Sequence, residues 1–274
     1  MKKNHKKFSS QEELEIIRSG DEKKIKAMLL YPLHSASEVE LVKTGNADLI
    51  KKYIKRYKFS LSAELALLKT GDEELIISYL NEWLLKETSQ LWLLQHNIEL
   101  FKKVMNKTVF GGKAQLALIE KCDKELIHDY IKKHWLHESA QLKLFQYGYL
   151  DLVKYFISRK NSLCDDAENY LIEQAKRGWN QYVVDLLKYY VRRYSLNASA
   201  EKEIMCSDNL RVVAMEYIRR QTLYNATIDL LIERDDAELL TLCAKRHSFS
   251  RGQLLKLLNN GRIDIVKIYL ENHV

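Results

Sequence analysis

Proline is almost missing from this chain: there is one in 274 residues, with nine glycines. Strand-rich folds rely on turns built from such residues, whereas helix interiors tolerate neither. The shortage points to an all-α protein. Cysteine is also sparse. Cys122, Cys164, Cys206 and Cys243 lie about 40 residues apart with no CxxC pair, which excludes a local metal clip and a disulfide framework and predicts reduced, buried thiols. No run of about 18 apolar residues occurs, so no membrane span is expected. The basic start Met1-Lys2-Lys3-Asn4-His5-Lys6-Lys7 leads into Phe8-Ser9-Ser10-Gln11-Glu12-Glu13 without an apolar stretch, so no signal peptide is expected and the cytoplasm is the expected location.

What the chain has is ordinary core content, 46% hydrophobic and 30% charged, with a formal net charge of +7. That excess makes acidic partners and nucleic acid thinkable without requiring them.

The dominant signal is an internal repeat. Gly45-Asn-Ala-Asp-Leu-Ile-Lys-Lys-Tyr-Ile54 returns as Gly71-Asp-Glu-Glu-Leu-Ile-Ile-Ser-Tyr-Leu80 and as Cys122-Asp-Lys-Glu-Leu-Ile-His-Asp-Tyr-Ile131. Further copies are Gly148-Tyr-Leu-Asp-Leu-Val-Lys-Tyr-Phe-Ile157 and Gly261-Arg-Ile-Asp-Ile-Val-Lys-Ile-Tyr-Leu270. With weaker copies aligned, turn residues fall near 20, 45, 71, 96, 122, 148, 178, 209, 235 and 261. Steps of 25 or 26 residues separate them, except for two near 30 on either side of 178.

After each turn, apolar residues fall at the fourth, fifth, eighth and ninth positions, as in Leu49, Ile50, Tyr53 and Ile54, or Leu239, Leu240, Cys243 and Ala244. That is the face of an amphipathic helix, not strand alternation. A second helix precedes the turn, marked by pairs such as Leu41-Val42, Leu67-Leu68, Leu118-Ile119 and Leu231-Ile232. One helical turn earlier, Ala63, Ala114 and Ala140 offer room for close helix approach. Gly20, Gly45, Gly71, Gly148 and Gly261 suit left-handed helix ends. Asp48, Glu74, Glu99, Glu125, Asp151, Glu238 and Asp264 suit first turns.

These features predict a single α-solenoid over residues 1–274, made of about ten helix-turn-helix repeats. Each pair is too small to bury its own faces and depends on its neighbours. The seventh repeat, Leu163 to Tyr194, carries about nine extra residues in longer helices.

The second helix resembles helix two of ankyrin repeats, best in Gly148-Tyr-Leu-Asp-Leu-Val-Lys and Gly261-Arg-Ile-Asp-Ile-Val-Lys. The likeness covers about ten residues per repeat. The Thr-Pro-Leu-His start of ankyrin helix one is absent and the repeat is about seven residues shorter, which leaves no room for the β-hairpin. The resemblance implies an ankyrin-like stack without hairpins, serving as a binding scaffold.

Outside the core, cationic pairs recur at the end of the second helix: Lys55-Arg56, Lys102-Lys103, Lys132-Lys133, Arg159-Lys160, Arg192-Arg193, Arg219-Arg220 and Lys245-Arg246. Along a solenoid edge they form a ladder suited to phosphates. Equally, Lys and Arg at a helix C-terminus answer the helix dipole. Tyr57, Trp83, Trp135, Tyr189, Tyr190, Tyr194 and Tyr224 interleave with this edge and offer either base stacking or packing. Tyr53, Tyr79, Tyr130, Tyr217 and Tyr269 take the core-facing eighth position.

His134 and His137 have i, i+3 spacing that, with Glu138, matches a metal site only weakly. Phe110-Gly111-Gly112-Lys113 lacks the glycine spacing and preceding strand of a phosphate loop and reads as a return turn. No catalytic set and no cofactor motif stands out. The residues therefore favour a non-enzymatic scaffold that binds another macromolecule, first a protein. A nucleic-acid-binding solenoid using the basic edge is the alternative, and an enzyme with carboxylates hidden among surface charges comes third.

Overall fold

A computed structural model describes residues 8–178 and 180–273; the basic segment at residues 1–7 lies outside them. The described residues are helical throughout, without a strand. The chain divides into two compact units, Met1–His137 and Glu138–Val274, and each holds five helical pairs.

In the first unit the pairs are α1 (Ser10–Arg18) with α2 (Glu22–Met28), α3 (Ser35–Lys43) with α4 (Ala47–Ile54), and α5 (Leu61–Thr70) with α6 (Glu73–Glu82). α7 (Glu87–His96) with α8 (Ile98–Val104) and α9 (Gly112–Lys121) with α10 (Lys124–Ile131) complete it. In the second unit they are α11 (Glu138–Gln146) with α12 (Leu150–Ser158), α13 (Asp165–Lys176) with α14 (Gln181–Val191), and α15 (Ala198–Cys206) with α16 (Arg211–Arg220). α17 (Asn225–Glu233) with α18 (Ala237–Arg246) and α19 (Arg251–Asn259) with α20 (Ile263–His273) follow. The seventh pair has the long helices its extra residues predict. Within each unit, first helices pack on the next first helix and second helices on the next second helix, as α3 on α5 and α16 on α18. This sequential contact is the solenoid pattern.

Local chemistry explains the turns. Gly20, Gly45, Gly71, Gly148, Gly178 and Gly261 have φ between 64° and 76°, and Asp235 takes the same left-handed conformation at φ 54°. The residue after the turn, or the second one after Gly178, does the capping: Asp21, Asn46, Asp72, Asn97, Asp123, Asn180 and Asp236 each accept a backbone N–H of the second helix's first turn. The acidic residues two positions further on add to this cap.

Most of the expected core positions are buried, but in the last pair Tyr269 is only half-buried and Leu270 is exposed. Ala63, Ala114, Ala140 and Ala167 are fully enclosed, and Tyr53, Tyr79, Tyr130 and Tyr217 are buried in the second helices. A further apolar residue plugs every return loop: Leu33, Phe59, Leu85, Phe110, Leu136, Leu163, Leu196, Leu223 and Phe249. Aromatic plugs extend ring stacks, as Tyr53–Phe59–Tyr79 with centroids 5.5 Å apart at each step. The cysteines depart from expectation. All four are free thiols, but only Cys243 is buried, and Cys206 is exposed. Cys206 closes α15, beyond the packed face of that helix. Burial pushes the Cys122 thiol up to about 11.

Candidate interaction surfaces

Return loops bring together the C-terminus of one repeat's second helix and the N-terminus of the next repeat's first helix. Two sets of side chains fix this edge. The first is a buried polar residue in the first helix, about seven positions before the turn in the regular repeats and eight to ten in the seventh and eighth. Glu38 accepts the Tyr53 hydroxyl (2.8 Å) and the backbone N–H of Ser60 (2.8 Å). Glu64 likewise holds Tyr79 (2.9 Å) and the Lys86 N–H (2.7 Å). In the second unit Glu168 holds Tyr190 (3.0 Å) and the Asn197 N–H (2.9 Å). Glu201 holds Tyr217 (3.0 Å) and the Tyr224 N–H (2.9 Å). Ser60, Lys86, Asn197 and Tyr224 are each the N-cap of the following first helix, so one carboxylate ties three elements across two repeats. Burial raises the carboxyl pKa of Glu168 and of Glu201.

Gln90 and Gln115 replace Glu in the fourth and fifth repeats, and the amide adds a donor. Gln90 accepts the Gly111 N–H (2.9 Å) and donates to the carbonyls of Leu85 (2.9 Å) and Val109 (3.2 Å). Gln115 accepts the His137 N–H (2.7 Å) and donates to the carbonyls of Phe110 (2.8 Å) and Trp135 (3.5 Å).

The second set latches onto the carbonyls that end the preceding second helix. Tyr57 donates to Leu30 O (2.6 Å), Trp83 to Ile54 O (2.6 Å), Tyr194 to Ile157 O (3.2 Å) and Gln221 to Val191 O (3.0 Å). The ring nitrogens of His134 and His247 meet Met105 O (2.8 Å) and Ile218 O (3.1 Å), and burial lowers both imidazole pKa values. Three of the interleaved aromatics, Tyr57, Trp83 and Tyr194, therefore serve as latches, and Tyr190 as a buried partner of Glu168. His134 meets the Met105 carbonyl through Nε2, and among the described residues no cluster of three or more potential ligands exists. The Gly111 and Lys113 N–H groups, which a phosphate loop would offer to a ligand, go instead to Gln90 and Glu87.

The cationic pairs all project outward: Lys55, Arg56, Lys102, Lys103, Lys132, Lys133, Arg159, Lys160, Arg192, Arg193, Arg219, Arg220, Lys245 and Arg246 are exposed. Some are engaged. Lys132 pairs with Asp129 (2.7 Å), Lys103 with Glu73 (2.5 Å) and Lys102 with Glu99 (3.0 Å). Glu216 takes both Arg192 (2.9 Å) and Arg220 (3.5 Å). Arg193 lies on the Tyr189 ring, 3.6 Å from its centroid. The ladder is broken in the first unit, where α6 ends in Asn81-Glu82, and runs unbroken through α12, α14, α16 and α18. The opposite edge is acidic but neutralised in part. Arg211 grips Asp236 through two bonds of 2.8 Å and Glu238 through a third of 2.8 Å, and Arg262 bridges Asp235 and Asp264.

One feature of the return edge is absent from the sequence expectations. From the second loop on, the residue before each loop plug is exposed, and in three successive repeats it is apolar: Leu84 (54% exposed), Val109 (40%) and Trp135 (57%). In the second unit the same position holds Ser162, Ser195, Thr222 and Ser248, all exposed. The carbonyls of Val109 and Trp135 are the ones that Gln90 and Gln115 hold.

No protein-family model, curated protein or solved structure matches the chain. Among the described residues no helix is long and apolar enough to cross a membrane.

Proposed function

We propose that the chain is a non-enzymatic scaffold, an ankyrin-like stack of helical pairs without hairpins, that binds a protein partner in the cytoplasm. The apolar ladder Leu84, Val109 and Trp135 carries this reading. Burying such side chains against a partner removes apolar area from water, and nothing in the packing of the first unit needs them outside. The buried amides hold the loop backbones in place, which lowers the ordering cost of docking. Lys107, Lys113 and Lys133 flank the ladder and meet no carboxylate among the described residues. They favour a segment that carries acidic residues between its apolar ones. Successive repeats are about 10 Å apart, a step matched by every third residue of an extended chain. The scaffold rather than the enzyme reading is also supported by the buried carboxylates Glu38, Glu64, Glu168 and Glu201, each already committed to two structural hydrogen bonds.

A photo-crosslinking residue at Val109 tests the proposal in lysate of the native host. A discrete protein adduct is expected, lost when Leu84 and Trp135 become Ser and absent when the crosslinker sits at Ser248. Adducts that are equal at the two positions, or insensitive to the Ser substitutions, would contradict it.

A further inference from the structure

The second unit carries a different surface. Along α14, Tyr182 and Tyr189 stand seven residues apart and so share a face. Lys154 of the neighbouring α12 reaches between them, its Nζ 5.9 Å from the Tyr182 centroid and 5.6 Å from that of Tyr189. Together with Asp185, Lys188 and Arg192 they line an open groove of about 340 Å³. Asp185 is engaged by Lys188 at 3.6 Å. Lys154 meets no carboxylate among the described residues. Tyr182 is 41% exposed, so its ring is available for contact.

The groove opens beside the unbroken run of cationic pairs at the ends of α12, α14, α16 and α18. In that run Lys160, Arg193, Arg219, Lys245 and Arg246 have no carboxylate partner among the described residues. Capping the helix dipole accounts for a cation near each helix end. It does not account for tyrosines and a lysine arranged as a cation–π cluster on the helix surface next to them.

We propose that this surface binds single-stranded nucleic acid. A base stacks on Tyr182, Lys154 meets the adjoining phosphate, and the cations of the run without a carboxylate partner carry the backbone along successive repeats. Stacking needs an open base face, which a duplex does not present. An acidic polypeptide has the charge but no partner for the ring. The surface lies in the second unit and is independent of the apolar ladder in the first.

The test is fluorescence anisotropy of the full chain with four labelled probes: a 20-mer of oligo(dT), a 20-mer of oligo(U), a 20-base-pair duplex and polyglutamate of matching charge. The single strands are expected to bind at least about fivefold tighter than the duplex or polyglutamate, and to weaken steeply between 50 and 200 mM salt. Tyr182→Ala is expected to cost about 5- to 150-fold, the range of one base–aromatic stack, with Tyr182→Phe restoring affinity. Arg219→Glu together with Arg246→Glu is expected to weaken binding and flatten the salt dependence, with helicity by circular dichroism unchanged. Ser substitutions at Leu84, Val109 and Trp135 are expected to leave this affinity intact, which separates its failure from that of the protein-binding proposal. Absence of single-strand binding at 50 mM salt would overturn the proposal. So would polyglutamate binding as tightly with Tyr182→Ala neutral, since charge alone would then explain the affinity.

Discussion

Tyr217 of α16 donates its hydroxyl hydrogen to Glu201 of α15 at 3.0 Å, and the other oxygen of that carboxylate accepts the N–H of Tyr224, the N-cap of α17. The contact turns stacking from a matter of apolar area into one of register. A slipped repeat would leave a buried carboxylate, a phenol and a backbone N–H unpaired together, and each such group costs on the order of 1–3 kcal/mol.

Removing the carboxylate leaves those donors buried without a partner. Glu201→Ala is expected to destabilise the chain by roughly 2–3 kcal/mol, measured by urea unfolding. Glu201→Gln is expected to be far milder, because Gln115 at the same place in the fifth repeat accepts the His137 N–H and donates to the Tyr130 hydroxyl.

The same pair gives a pH signature. Burial raises the Glu201 pKa in the fold, so the protonated form is favoured there. The resulting stabilisation is present below the unfolded carboxyl pKa and is lost as pH rises through the folded one. Wild type is therefore expected to lose stability relative to Glu201→Gln as pH rises above the ordinary carboxyl range of about 4, followed by unfolding at a series of pH values.

His247 behaves in the opposite sense. Its folded pKa is lowered by burial, so its contribution is present above the ordinary histidine pKa and lost as pH falls through the folded value. His247→Gln, which copies the latch that Gln221 makes to Val191, is expected to match wild type near pH 7.5. It is expected to be the more stable of the two near pH 5.5. Thermal unfolding at the two pH values checks this.

Ala63 is fully buried where α5 packs against its neighbours. Ala63→Leu is expected to cost about 1–3 kcal/mol through overpacking, seen as a lower denaturation midpoint.

Much of this architecture was legible in the chain. Turn glycines, the paired apolar positions and the small residues at Ala63, Ala114 and Ala140 all follow from helix periodicity and sterics, which act locally. The polar spine was not read, because Glu38, Glu64, Glu168 and Glu201 look like surface charges on a helix until the burial of their face is known. A signal existed: in the second, third, fifth and eighth repeats the Glu or Gln precedes its tyrosine by 15 or 16 residues, as in Glu38 and Tyr53, Glu64 and Tyr79, Gln115 and Tyr130, and Glu201 and Tyr217. The latches escaped for a related reason. Tyr57, Trp83, His134, Tyr194 and His247 differ chemically and share only a donor at one register position. The ladder of Leu84, Val109 and Trp135 was hidden because an exposed and a buried apolar residue stand side by side in each loop, and only packing tells them apart.

Hydrogen exchange at the N-cap amides tests the cross-repeat spine most directly. An N-cap N–H has no partner within its own helix, so the amides of Ser60, Lys86, Asn197 and Tyr224 would ordinarily exchange fast. Protection at these four comparable to helix interiors, with loss at Tyr224 alone in Glu201→Ala, is the predicted result. Exchange at loop rates in the wild-type chain would contradict it.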